Sequence, residues 1–257
     1  MLRNPWPWLG AALTLLGACA PTVFQPLPGV ELPLPRGRVE VPTWVLPGNP
    51  LPLSDDFERY PVGAVLTGVA PERYGLLAKE KATFTVVEAL DPKNAITRAV
   101  RLAPFGGALL TTGAGNWTDY QARFDVQSLG NAYWASAGLR ARVFLDPAGT
   151  QGLEFRFGLD GIELTKVLGE QRRVVAKRPE LKEVGEAFVR DKLWHRFEVL
   201  ARSTGEVRFR MDGRELLAWQ DPDFRRGGLG FGVHDTDLVL YLDNLEVTPL
   251  SEPSKAP

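Results

Sequence analysis

The sequence predicts an all-β protein built as a two-sheet antiparallel sandwich. Three observations predict it. Beyond residue 53, apolar and polar residues alternate with period two in segment after segment, which is the signature of strands buried on one face. Two Asp-Gly pairs, Asp160-Gly161 and Asp212-Gly213, sit between such segments and read as hairpin turns. Only one stretch, Glu180–Arg190, suggests a helix, and Gly185 interrupts it.

The elements follow in chain order. Residues 1–18 carry one cation, Arg3, then an apolar run from Leu9 broken only by Thr14. This is the layout of an export signal, and the run is too short to span a bilayer. Leu16-Gly17-Ala18-Cys19 resembles the lipobox of bacterial lipoproteins, and Cys19 is the single cysteine of the chain. The resemblance implies cleavage before Cys19 and acylation of its thiol. Each acyl chain then contributes roughly 0.8 kcal/mol per buried CH₂ to membrane anchoring. Ala20 rather than Asp after the cysteine implies, by the same resemblance, the outer membrane of the cell envelope.

Residues 19–52 form a tether dense in proline, including Pro21, Pro26, Pro28, Pro33, Pro35, Pro42, Pro47, Pro50 and Pro52. That spacing excludes helices and central strands. In polyproline II form it would reach on the order of 100 Å. Either it is a solvated linker, or Val23, Phe24, Val39, Val41, Trp44 and Val45 dock part of it, with Arg38–Val41 as an added edge strand.

Residues 53–250 are the sandwich. Strands are expected at Ala82–Val87, Ile96–Leu102, Asp119–Gln127, Leu139–Val143, Glu154–Leu159 and Ile162–Val167. His195–Ala201, Val207–Met211, Arg214–Trp219, Gly228–Val233 and Leu238–Val247 follow. Residues 251–257 read as a disordered tail. No repeat of 20–50 residues points to a propeller or solenoid.

Composition narrows the function classes. With 30 basic and 31 acidic residues, the chain lacks the basic excess of a nucleic-acid binder. One cysteine excludes an intrachain disulfide and a multi-cysteine zinc site, and two histidines argue against a His-rich metal centre.

The ordered set "DDFER" (55–59), "NWTDYQARFDVQ" (116–127), "AGLRARVF" (137–144) and "GLEFRFGLDGIELTKV" (152–167) continues with "LWHRFEVLARSTGEVRFRMDGREL" (193–216), "GGLGFGV" (227–233) and "LYLDNLEV" (240–247). It resembles the concanavalin A-like jelly-roll superfamily, especially its laminin-G-like and bacterial 3-keto-glycoside hydrolase-like branches. The resemblance covers nearly all of the chain after the tether. It implies a curved sheet whose groove holds sugars, and a structural Ca²⁺ at Asp55, Asp56 and Asp243. Asp243-Asn244 closing a turn, or pairing with Arg59, is the structural alternative. Laminarinase-like chemistry would require Glu-x-Asp-x-Glu on one strand, so that carboxylates share a sheet face. The sequence has no such triplet.

The polar face of the central strands offers Gln121, Arg123, Arg140, Arg142, Glu154 and Arg156. If consecutive strands neighbour one another, these form one patch. Four arginines against one glutamate would suit an anionic ligand. Tyr133 and Trp134 would supply an aromatic wall for a sugar ring, and His234 lies in a polar loop at one end. A solvated face with Arg–Glu pairs is the structural reading of the same residues. His195 and Trp219 read as packing residues. The expected function is a membrane-anchored, extracytoplasmic, non-catalytic module for a glycan or anionic envelope ligand. The alternatives are a glycoside hydrolase or lyase resembling the 3-keto-glycoside hydrolases, and a structural envelope protein.

Overall fold

A computed structural model describes residues 45–78, 82–102, 107–130, 136–234 and 238–250. All of these belong to one compact unit. The lipobox with Cys19, most of the tether and the 251–257 tail therefore lie outside the description.

The elements are β1 (Leu53–Asp55), α1 (Leu66–Val69), β2 (Gly75–Leu77), β3 (Thr85–Leu90), β4 (Ile96–Leu102), β5 (Leu109–Thr112), β6 (Tyr120–Ser128), β7 (Gly138–Leu145), β8 (Gln151–Gly158), β9 (Gly161–Leu168), β10 (Gln171–Arg178), α2 (Lys182–Arg190), β11 (Trp194–Ala201), β12 (Glu206–Met211), β13 (Arg214–Gln220), β14 (Gly228–His234) and β15 (Leu240–Pro249). They build two antiparallel sheets, a jelly-roll sandwich. The first runs β13-β12-β11-β6-β15-β4-β3, with β1 also pairing to β15; the second runs β10-β9-β8-β7-β14-β5-β2.

Alternation decides the layering. On β6, Tyr120, Ala122, Phe124 and Val126 are buried, while Gln121, Arg123, Asp125 and Gln127 face outward. The core between the sheets is aromatic: Phe155 stacks on Phe209 across the sheets at 5.0 Å, and Phe124 meets Phe231 edge-on at 4.8 Å. Such pairs add about 0.5–1.5 kcal/mol each beyond burial.

Both hairpins form. Asp212 and Gly213 take φ of +50° and +78°, the left-handed pair a tight primed turn requires. At the other hairpin Gly158 pairs with Gly161, so Leu159 and Asp160 make the turn.

Three expectations need correction, and one open alternative is decided. Gly185 does not interrupt the helix. It lies inside α2 because a Cβ there would sit 1.8 Å from the Gly158 carbonyl, so its absence lets the helix press onto the β8–β9 turn. Strand β10 has no expected counterpart: it is an edge strand, exposed along much of its length, and carries no apolar alternation. Residues 45–52, the end of the segment left open as solvated or docked, pack on the second sheet. Asn49 Nδ2 donates to Arg73 O at 3.0 Å and Thr112 Oγ1 at 3.2 Å, and Trp117 Nε1 donates to Asn49 O at 2.6 Å. Finally, β6 and β7 are not neighbours: the chain changes sheets between them, so β6 pairs with β11 and β15 while β7 pairs with β8 and β14.

Candidate ligand-binding site

That last pairing divides the expected polar patch. Gln121 and Arg123 lie on the outer face of the first sheet, where Gln121 Nε2 donates to Glu198 Oε2 at 2.6 Å and Arg123 Nε stands 3.9 Å from the same oxygen. Arg140, Arg142, Glu154 and Arg156 lie on the outer face of the second sheet. Register places Arg142 opposite Glu154 and Arg140 opposite Arg156.

On that second face the charges are not solvated. Arg140, Arg142 and Glu154 are each more than nine-tenths buried. Arg140 grips Glu154 through Nε (3.1 Å) and Nη2 (2.8 Å), and Arg142 through Nε (3.1 Å) and Nη2 (2.7 Å). The unpredicted strand β10 contributes a third cation: Arg172 Nη2 donates to Glu154 Oε1 at 2.7 Å. One carboxylate thus accepts five charge-assisted bonds from three guanidiniums. Burial alone would raise the Glu154 pKa, but the arginines outweigh it and bring it down to about 2. Burial pulls the Arg142 pKa below the usual arginine range, against the attraction of Glu154.

Strand β14 makes room for this. Its outer-face positions opposite Arg142 and Arg140 are Gly230 and Gly232. A Cβ at Gly232 would lie 2.4 Å from the Ala108 carbonyl, so glycine there lets the backbone leading into β5 lie close against β14. Arg140 Nη1 then reaches the Gly107 carbonyl at 2.8 Å.

The cluster forms one side of a groove of about 540 Å³. Leu77, Gly107 and Gly149 line it alongside Arg140 and Arg142, and the β9–β10 turn with Gly169 and Glu170 closes the far side with Arg172. Three arginines against Glu154 and Glu170 leave the lining with a net positive charge. Arg172 keeps about half of its side chain exposed, so it is the arginine presented to a ligand.

Other candidates fall elsewhere. Arg156 bonds Asp160 (3.1 Å) and Glu163 (3.3 Å), and its Nη1 donates to His234 Nε2 at 3.0 Å. His234 therefore accepts as a neutral imidazole. Burial lowers its pKa, and the charges of Arg156 and Arg140 add to the effect. Tyr133 and Trp134 lie outside the described residues. His195 is clamped between Asp191 (2.9 Å) and Asp212 (2.7 Å), and Trp219 packs against the core.

The three aspartates do not gather as calcium ligands. Asp55 Oδ2 accepts from Tyr60 Oη (2.9 Å), Tyr74 Oη (2.8 Å) and Arg59 Nη2 (2.9 Å), while Asp56 caps the Glu58 N–H. Asp243 accepts from the Asn244 N–H and the Thr97 hydroxyl. Among the described residues no three His, Cys, Asp or Glu side chains form a metal-binding group. Among them, too, no helix is long and apolar enough to cross a membrane.

Sequence reasoning missed Arg172, Glu170 and the glycines of the groove. The available signal was Gly169 after the β9 pattern, a turn residue at φ +60° that announces a further hairpin.

No known sequence family matches the chain, and no curated protein does. Among solved structures, the cellulose-induced protein Cip1 is similar over 78% of this chain and all of its own, with TM-score 0.52 and 13% identity. The carbohydrate-binding module CBM66 from Bacillus subtilis matches 68% of this chain and 96% of its own, with TM-score 0.45 and 13% identity. The binding domain of botulinum neurotoxin serotype D matches 70% of this chain at TM-score 0.44 and 10% identity, and the chain spans about half of that domain's length. At such identities the likeness is one of fold: the chain shares the two-sheet jelly-roll-like sandwich seen in Cip1.

Proposed function

We propose that this protein is a membrane-anchored, extracytoplasmic binding module whose second-sheet groove takes a glycan bearing a carboxylate. The observation that carries this reading is the cluster of Arg140, Arg142 and Arg172 around a single Glu154 at the groove. Two guanidiniums buried beside one shared carboxylate leave positive charge in a poorly solvated place, and an incoming anion offsets it. The groove has the size range of a small-ligand site. Anchoring through Cys19 and residence at the outer membrane rest on the lipobox resemblance alone. A structural calcium ion rests on the jelly-roll resemblance alone; with Asp55 engaged by two phenols and a guanidinium, its ligands would have to come largely from elsewhere.

A binding role is favoured over general-acid catalysis by the state of Glu154. A carboxyl held ionised down to about pH 2 has no proton to give a leaving group near neutrality. The test is a glycan array followed by titration calorimetry on the purified protein. Uronic-acid glycans should bind, more weakly as salt rises, and Arg172→Gln should weaken binding about tenfold, the loss of one charged contact. Indifference to Arg172→Gln, or preference for neutral glycans, would sink the reading. Release of new reducing ends or unsaturated sugars would promote the hydrolase or lyase alternative.

A further inference from the structure

The groove is not isolated. A hollow of about 340 Å³ at the sheet edge is lined by Lys166, Arg172, Arg173 and Asp223. Arg172 lines the groove as well, so the two meet at this side chain. Asp223 in turn lines a third concavity of about 620 Å³, together with Asn116, Asp146, Gln151, Phe224 and Arg226. The β7–β8 turn lies between the first and third: Gly149 faces the groove, and Asp146 and Pro147 face the third. The three concavities therefore adjoin one another, sharing Arg172 and Asp223 as lining residues.

The charge changes from one to the next. At the groove and the hollow, arginine is in excess: Lys166 is engaged by Asp221 at 3.1 Å and by Asp223, leaving Arg172 and Arg173. At the far end Asp146 and Asp223 balance Arg225 and Arg226, and Arg225 is occupied with the carbonyls of Asp221, Pro222 and Phe224. The amides of Asn116 and Gln151 and the carboxylates beside them suit ligand hydroxyls, and the balanced lining has no excess of cations to hold a second acid. Pro147 offers an exposed apolar surface.

We infer, building on the groove reading, that the ligand is an oligosaccharide with a single acidic sugar, the acid seated at Arg172 and neutral sugars running past Asp223 to Asn116. A peptide or polymer with an acid on every unit would bring negative charge to a far end that has no excess of cations to hold it.

Calorimetry with four probes tests this: glucuronic acid, xylotetraose, xylotetraose carrying one glucuronic-acid branch, and tetragalacturonate. Poly-glutamate serves as a fifth. The branched probe should bind at least about tenfold tighter than glucuronic acid, because neutral units add contacts beyond the acid. The double variant Asn116→Ala/Arg226→Gln, both exposed side chains, should abolish that gain and leave glucuronic acid binding unchanged. Equal affinity for glucuronic acid and the branched probe would overturn the extended site and leave the groove reading standing. Tighter binding of tetragalacturonate or poly-glutamate would overturn the single-acid assignment. No binding of any acidic probe would overturn both.

Discussion

Replacing Glu154 by glutamine removes the one negative charge that three arginines share. In the native protein the carboxylate's pKa falls from 4.5 to about 2, a difference of about 3 kcal/mol between its ionised and neutral forms at 1.36 kcal/mol per unit. A second route gives the same size: removing one partner of a buried ion pair costs about 3–5 kcal/mol, because the remaining charge stays buried. The glutamine oxygen still accepts a hydrogen bond, which places the expected loss near the lower figure, about 3 kcal/mol at pH 7. Against a typical total of about 5–15 kcal/mol, that is a large fraction. Urea unfolding followed by tryptophan fluorescence measures it, as a fall in midpoint of about 1–3 M for a slope of about 1–3 kcal/mol/M. The pH dependence is a second readout. A depressed carboxylate contributes its stability above the unfolded pKa, and that contribution is lost as pH falls through the folded pKa. Wild type should therefore lose about 3 kcal/mol between roughly pH 4.5 and pH 2 that the glutamine variant has already lost. A loss under about 1 kcal/mol at pH 7, with an unchanged acid limb, would refute the account of Glu154 as the keystone of the cluster.

Three further outcomes follow from other sites. Gly185→Ala should destabilise by about 3 kcal/mol or more in thermal unfolding, although alanine favours a helix by about 1 kcal/mol, because its Cβ would strike the Gly158 carbonyl; a stabilised variant would show that α2 does not press on that turn. Burial, with Asp125 and Glu58 nearby, raises the Asp243 pKa to about 6, so its contribution is fully present below about pH 3.8 and is lost as pH rises through 6. Asp243→Asn should then gain about 1–3 kcal/mol at pH 8 and almost nothing at pH 3.5, and melting curves at both values would expose any other pattern. Mass spectrometry of the mature N-terminus should find Cys19 first and acylated; an unmodified Cys19 or cleavage elsewhere removes the membrane anchor from the proposed function.

Local sequence determined much of this protein. Alternation such as Tyr120, Ala122, Phe124 and Val126 against Gln121, Arg123, Asp125 and Gln127 states which side of a strand is buried, because side chains on a strand must point alternately to two faces. Asp212-Gly213 states where the chain reverses, because few residues accept left-handed backbone at two successive positions. Arginines 140 and 142 were legible as a basic pair opposite Glu154 for the same reason.

What alternation leaves open is which strands become neighbours, and only the tertiary structure decided that. It sent β6 and β7 to different sheets, and so parted Arg123 from Arg140. It brought Arg172 to Glu154 from an edge strand with no apolar face to announce it, since an edge strand is held by one partner and needs no burial on its outer side. Packing also turned a charge patch that reads as solvated into a buried one: Gly232 of β14 admits the Gly107 and Ala108 backbone close to the arginines, which no residue near Arg140 in sequence records. The charge of the site was written in the chain, but its burial and its third arginine depend on contacts between residues far apart, and those exist only once the sheets have closed.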